Sequence, residues 1–156
     1  PALPASIAAT DPWNDAATDG GAVYEDIRRL FVQLQTQCNG TIDAEAEMVL
    51  GLSPTIAVAL NKTNQFNVNV TDQLKKNFPN LEVITAPEYG LVDGDELVQL
   101  IVKQIDGQMT GTCAFTEKLR AHPIIVGTSN WKQKKSQGSF GAVIFRPFAI
   151  ASMTGV

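Results

Sequence analysis

LRAHPIIVGTSNWKQKKSQGSFGAVIFRPFAIASMTGV, residues Leu119–Val156, is the stretch whose reading decides the fold. It is dense in the β-branched and aromatic residues that fit a pleated surface. His122 precedes Pro123, a step that disfavours the helical region and keeps the backbone extended. On a strand, Lys132 and Lys134 share one face while Trp131, Gln133 and Lys135 share the other. Phe140–Phe145 is apolar on both alternating faces, which predicts a strand covered on both sides. Pro147 cannot donate to a ladder, so a sheet edge or a strand break belongs there. From Thr112 onward the pattern is strands alone.

Upstream the pattern differs. Pro1–Thr18 is rich in Ala and Pro and aperiodic, and reads as an arm or linker in which Trp13 is the anchor. Val23, Ile27, Leu30, Phe31 and Leu34 then recur at spacings of three and four, the stripe of an amphipathic helix that Gly40 stops. Glu25 and Arg29 are placed to pair at i,i+4. Glu47–Leu52 reads as a buried strand, and Ser53-Pro54 as the cap and first turn of a short helix through Leu60. Thr71 is placed to cap a further helix through Asn77, ended by Pro79. Leu81–Thr85 and Leu97–Ile105 read as strands, although positions 97, 101 and 105 also fit a helix. Asp93-Gly94 and Asp106-Gly107 are turn signals. Helix and strand thus alternate over residues 19–105, the pattern of a mixed α/β layer. The division expected is an arm at 1–18, an α/β domain at 19–111 and a C-terminal β segment at 112–156.

A chain of 156 residues is long enough for one proper core. Apolar residues at 44% and charged residues at 18% argue against disorder. The apolar runs are too short to span a bilayer, and Pro1–Ala9 lacks the basic region of a signal peptide. The start at Pro1 without methionine reads as a fragment or processed product. Residues 1–111 hold 6 Lys+Arg against 15 Asp+Glu, a net −9, whereas residues 112–156 hold 6 against 1, a net +5. Such asymmetry points to an anionic partner for one end, either the acidic part of a neighbouring copy or nucleic acid.

No catalytic constellation emerges. His122 is the single histidine, no serine sits in a G-x-S-x-G elbow, and Cys113 has no recognisable signature. Cys38 and Cys113 read as small buried hydrophobes. Asp93-Gly94-Asp95-Glu96 lacks the ligand spacing of a calcium loop and reads as an acidic hairpin tip. Two distant cysteines and one histidine make no zinc site, and neither phosphate-binding glycine motif occurs. No cofactor, metal or small-molecule substrate is expected. Three sequons, at Asn39, Asn61 and Asn69, are expected by chance in a chain rich in Asn and Thr.

The Ala121-His122-Pro123 step, Trp131-Lys132-Gln133-Lys134-Lys135, and Phe140-Gly141-Ala142-Val143-Ile144 running into Arg146-Pro147-Phe148-Ala149-Ile150-Ala151 together resemble the closing segment of phage and prophage major capsid proteins of the Hong Kong 97 type. Over residues 19–105 only the order of elements agrees. The resemblance implies an α+β fold: an axial domain with a mixed sheet and flanking helices, and C-terminal strands returning to a peripheral domain. It implies a C-terminal part of a subunit that forms pentamers and hexamers closing into an icosahedral shell around DNA. The partners implied are other copies of the chain and, non-specifically, packaged DNA. The location implied is the virion capsid, after synthesis in the bacterial host cytoplasm. The residues expected at subunit contacts are Trp131, Lys132, Lys134, Lys135 and Arg146. Two other classes compete: a secreted or surface glycoprotein-like module with a Cys38–Cys113 bond, and a small α/β enzyme.

Overall fold

The computed structural model describes residues 3–90 and 95–156. In chain order the elements are β1 (Ile7–Ala8), α1 (Gly20–Gln37), β2 (Met48–Leu52), α2 (Pro54–Ala57, continued by a 3₁₀ turn, Val58–Asn61), α3 (Val70–Asn77), β3 (Leu81–Thr85), β4 (Leu97–Val102), β5 (Gln104–Ile105), β6 (Gln108–Met109), β7 (Gly111–Val126), β8 (Trp131–Ile144) and β9 (Ile150–Thr154). They divide into two compact units. One comprises residues 1–110 with 146–156, the other residues 111–145.

In the larger unit, five strands form a mixed sheet of order β1-β9-β4-β2-β3. β9–β4 and β4–β2 are antiparallel, β2–β3 and β1–β9 parallel. Val98, Leu100 and Val102 alternate inward along β4, which resolves Leu97–Ile105 as strand rather than helix. That strand is nevertheless shorter than expected. It stops at Val102, and Gln104–Ile105 turns through Asp106 and Gly107, both at positive φ, to pair with Gln108–Met109.

α1 lays Val23, Ile27, Leu30, Phe31 and Leu34 onto β9 and β4, so the periodic stripe is the core face. Burying each of those side chains contributes about 1.5–3 kcal/mol. The helix ends with Asn39 and Gly40 in the left-handed region, where Gly40 closes the turn without steric cost. Glu25 pairs with Arg28 at 2.6 Å rather than with Arg29. Arg29 is drawn instead to Asp26 at 3.0 Å, a carboxylate one turn away on the same side. Ser53 caps α2 through its hydroxyl, as Ser-Pro predicts. The cap of α3 is Asn69, whose side-chain oxygen accepts from the Thr71 amide, and the Thr71 hydroxyl donates to the Leu60 carbonyl. That third sequon asparagine therefore has a structural role. Gly51, in mid-strand, leaves room for Tyr89: a Cβ there would lie 2.6 Å from the Tyr89 ring.

The N-terminal segment is docked, not loose. Ile7–Ala8 adds to the sheet edge beside β9. Trp13 is fully buried, and its indole N–H donates to Asp26 at 3.0 Å. Asp26, itself 1% exposed, also accepts from the Thr10 amide, the Thr10 hydroxyl and Arg29. A buried carboxylate costs several kcal/mol unless such donors surround it.

The C-terminal residues return to this unit. Residues 112–145 are the strands of the second unit, but Ile150–Thr154 lies inside the five-stranded sheet between β1 and β4, so residues 146–156 do not group with 112–145. Arg146 and Pro147 mark the exchange, with a 3₁₀ turn at Pro147–Ala149 where the proline predicts a break. Among the described residues no helix is long and apolar enough to cross a membrane.

Both cysteines are free thiols, but only Cys38 is buried; Cys113 is exposed on β7, contrary to the expectation that both are core residues. Burial pushes the Cys38 thiol above its ordinary value, which suppresses the reactive thiolate. One thiol per chain is expected to react with a thiol reagent in the folded protein, and the second only after denaturation. Two fast thiols, or none, would contradict this placement.

Candidate subunit interface

The second unit is a two-stranded ribbon, β7 and β8, joined by a loop at Gly127–Asn130 in which the Gly127 amide donates to the Asn130 carbonyl. Its pairing runs from Gly111↔Ile144 to Val126↔Trp131, with irregularities near Phe115, Glu117, Arg120 and Ala121 that shift the register. Pro123 falls in the stretch between Ala121↔Lys135 and Ile124↔Gln133, where the ladder is interrupted, as its missing N–H requires.

Almost everything on this ribbon faces solvent. Trp131 is 71% exposed and Val126 82%, and Leu119, Ile124, Ile125 and Phe140 are also more than half exposed. The expectation that Phe140–Phe145 is covered on both faces is not met, because a two-stranded ribbon supplies no second layer. An isolated hairpin is marginal in water, and this much open apolar surface makes the ribbon a candidate interaction face. At the tip, Ile124, Val126, Gly127, Thr128, Asn130 and Trp131 line a shallow concavity of about 480 Å³.

The charge follows the structural division. The ribbon, 111–145, carries 5 Lys+Arg against Glu117, a net +4; the larger unit, 1–110 with 146–156, carries 7 against 15, a net −8. The four expected contact residues Trp131, Lys132, Lys134 and Lys135 stand together at the start of β8, all exposed. Arg146 does not join them. It belongs to the larger unit, where it donates to the Gln108 amide oxygen at 2.6 Å. Sequence reading missed the apolar share of the ribbon surface, because an alternating or continuous apolar strand looks the same whether or not a second layer covers it.

The ribbon also contains a polar cluster. His122 Nε2 lies 3.0 Å from the Ser136 hydroxyl, which in turn donates to Glu117 at 3.4 Å, and Arg120 stands 3.7 Å from Glu117. A nucleophilic triad needs histidine between acid and serine. Here serine lies between, and the arrangement clips β7 to β8. Of the acidic cluster, Asp93 and Gly94 lie outside the described residues. Asp95 is exposed, and Glu96 accepts from the Ser53 hydroxyl at 3.0 Å. Among the described residues no three His, Cys, Asp or Glu side chains converge as metal ligands.

A mixed sheet backed by one long helix, interrupted by a solvent-facing ribbon, is the fold of a phage capsid protein. It superposes on a chain from the capsid of Myoviridae phage XM1 with a TM-score of 0.81 at 15% identity, covering 97% of this chain and 51% of that one. A virus-like particle from Pyrococcus furiosus matches with a TM-score of 0.60 at 15% identity, covering 96% and 57%. A chain from Mycobacterium phage Che8 matches with 0.59 at 11%, covering 95% and 53%. The chain thus spans about half the length of each. No curated protein matches it. The family described as Pa193 gp26 major capsid protein matches residues 1–155, and the chain belongs to that family. It is a structural protein of capsids and not an enzyme. The α+β capsid fold expected from Leu119–Val156 is the fold observed.

Proposed function

We propose that this chain is the C-terminal part of a tailed-phage or prophage capsid subunit whose copies form pentamers and hexamers that close into an icosahedral shell around DNA. In this reading residues 1–110 with 146–156 are the axial domain, and residues 111–145 are strands of the peripheral domain. The observation that carries it is the ribbon: an apolar, basic surface with no partner among the described residues, on a chain whose other unit is acidic. Apolar burial supplies most of the association energy, centred on Trp131, while lysines meeting a neighbour's carboxylates set register and weaken with salt. Assembly takes place in the bacterial host cytoplasm and the product is the virion capsid. Packaged DNA is met non-specifically where the lysines face inward.

Negative-stain electron microscopy of the full-length gene product tests this. Closed icosahedral particles or flat sheets of hexamers are expected; a uniform field of monomers at high concentration would overturn it. Trp131→Ala sharpens the test. A core tryptophan would cost about 3–5 kcal/mol. At 71% exposure the change should leave the melting of the isolated chain within about 0.5 kcal/mol of the wild type and act on particle yield instead.

A further inference from the structure

The two edges of the five-stranded sheet are unlike. One is closed by β1, and Trp13 and Thr10 bolt that segment to Asp26. The other is β3, which pairs only with β2; among the described residues nothing bonds to its outer side. Glu82–Thr85 is exposed throughout. Val83 is 41% exposed and Ile84 43%, and as successive strand residues they point to opposite faces, so both faces of the strand are partly open. Soluble proteins guard such edges with lysine, proline, a bulge or a very short strand. β3 has none of these: its register with β2 is unbroken over five pairs, Pro79 and Pro87 lie outside it, and its one charge, Glu82, is engaged by Lys103 at 2.7 Å.

We propose that β3 is a strand-addition site, and that its occupant is β8 of a second copy of this chain. The inference rests on the capsid reading and specifies one contact within it. Charge favours this occupant, since a unit of net −8 meets a ribbon of net +4. Glu88 lies three residues beyond the strand, and Glu45, whose carbonyl accepts from Asn80, sits at its start. Lys132, Lys134 and Lys135 are the cations of β8. Of the two ribbon strands, β8 is the one that contains no proline, and its outer edge pairs with nothing among the described residues, whereas β7 carries Pro123 near its end. Main-chain bonds then supply affinity, and aromatic contact of Trp131 with Val83 or Ile84 supplies specificity. The contact joins different surfaces of two copies, so rotation repeats it around a ring.

Disulfide trapping in assembled particles of the full-length protein tests the contact. A Cys113→Ser background carries Ile84→Cys together with Lys132→Cys or Lys134→Cys. Mild oxidation should give a ladder of covalent multimers from one of the two double variants, and none from Ile84→Cys alone. Dimers from Ile84→Cys alone would mean that β3 meets β3, and would overturn the proposal. Monomers with lost thiols would mean pairing within one chain, and would overturn it too. Particles whose thiols stay free would sink this inference while leaving the shell reading intact; absence of particles from the unaltered protein would sink both. Ile84→Lys is the companion variant, with folding verified by circular dichroism. It sets a cation against Lys132 and Lys134, so particle yield should fall about tenfold or more. Val32→Lys, at a comparably exposed site on α1, should not change it. Equal yields from the two variants would overturn the proposal.

Discussion

A chain carrying Lys132→Glu, Lys134→Glu and Lys135→Glu together is expected to fold normally and to fail in assembly. All three side chains are exposed, and none forms an ion pair among the described residues. Exposed substitutions of this kind change stability by about 0.5 kcal/mol or less each. The ribbon, by contrast, passes from net positive to net negative, so in the proposed contact attraction to a neighbour's acidic unit turns into repulsion. Like charges brought together across an interface cost several kcal/mol, enough to suppress association by orders of magnitude. Thermal melting of the isolated chain and electron microscopy of the full-length product read the two effects separately. A triple variant that assembles normally and loses only DNA retention would place the lysines on the interior of the shell instead.

Asp26→Ala is expected to be the most destabilising single truncation of a polar side chain. It removes the acceptor for the Trp13 indole, the Thr10 amide and the Thr10 hydroxyl at once, and the indole is fully buried. Each orphaned buried donor costs about 1–3 kcal/mol. Arg29 adds little, because it is nearly half exposed and water replaces the lost partner. The expected loss is roughly 2–4 kcal/mol, measured by urea denaturation. In a Trp131→Phe background, emission from Trp13 should also shift to the red as the N-terminal segment detaches. An unshifted spectrum with unchanged stability would show that Asp26 is not what holds the segment down.

What the sequence discloses and what it hides divide by the range of the interactions involved. The α1 stripe, the Ser53-Pro54 start and the Asp106-Gly107 turn are legible because each is decided within a few residues by periodicity, a cap or a left-handed turn. Asn69 and Thr71 are two residues apart and both are good capping types, so local chemistry alone does not choose between them. Arg28 and Arg29 are likewise both within reach of Glu25, and a buried Asp26 decides between them. Partnership over long range is not written locally. Nothing in Ile150–Thr154 says that it inserts between β1 and β4, and nothing in Phe140–Phe145 says that a covering layer is missing. Trp131, Lys132, Lys134 and Lys135 are neighbours in sequence on one short length of strand, so their grouping is legible. Arg146 sits one residue beyond the ribbon, and only the fold separates it.

The place of β9 has a further consequence, one of timing. Ile150–Thr154 is the strand through which β1 reaches the rest of the sheet, since Ile7 and Ala8 pair with Met153 and Thr154, and β9 alone joins them to β4. On the ribosome, where synthesis proceeds at roughly 5–20 residues per second, β1 therefore waits for β9. An unfinished polypeptide lacking residues 150–154 keeps β2, β3 and β4 together but leaves one face of α1 uncovered and the N-terminal strand without its neighbour. A polypeptide that stops short of β9 therefore exposes part of the α1 core face until those residues are made.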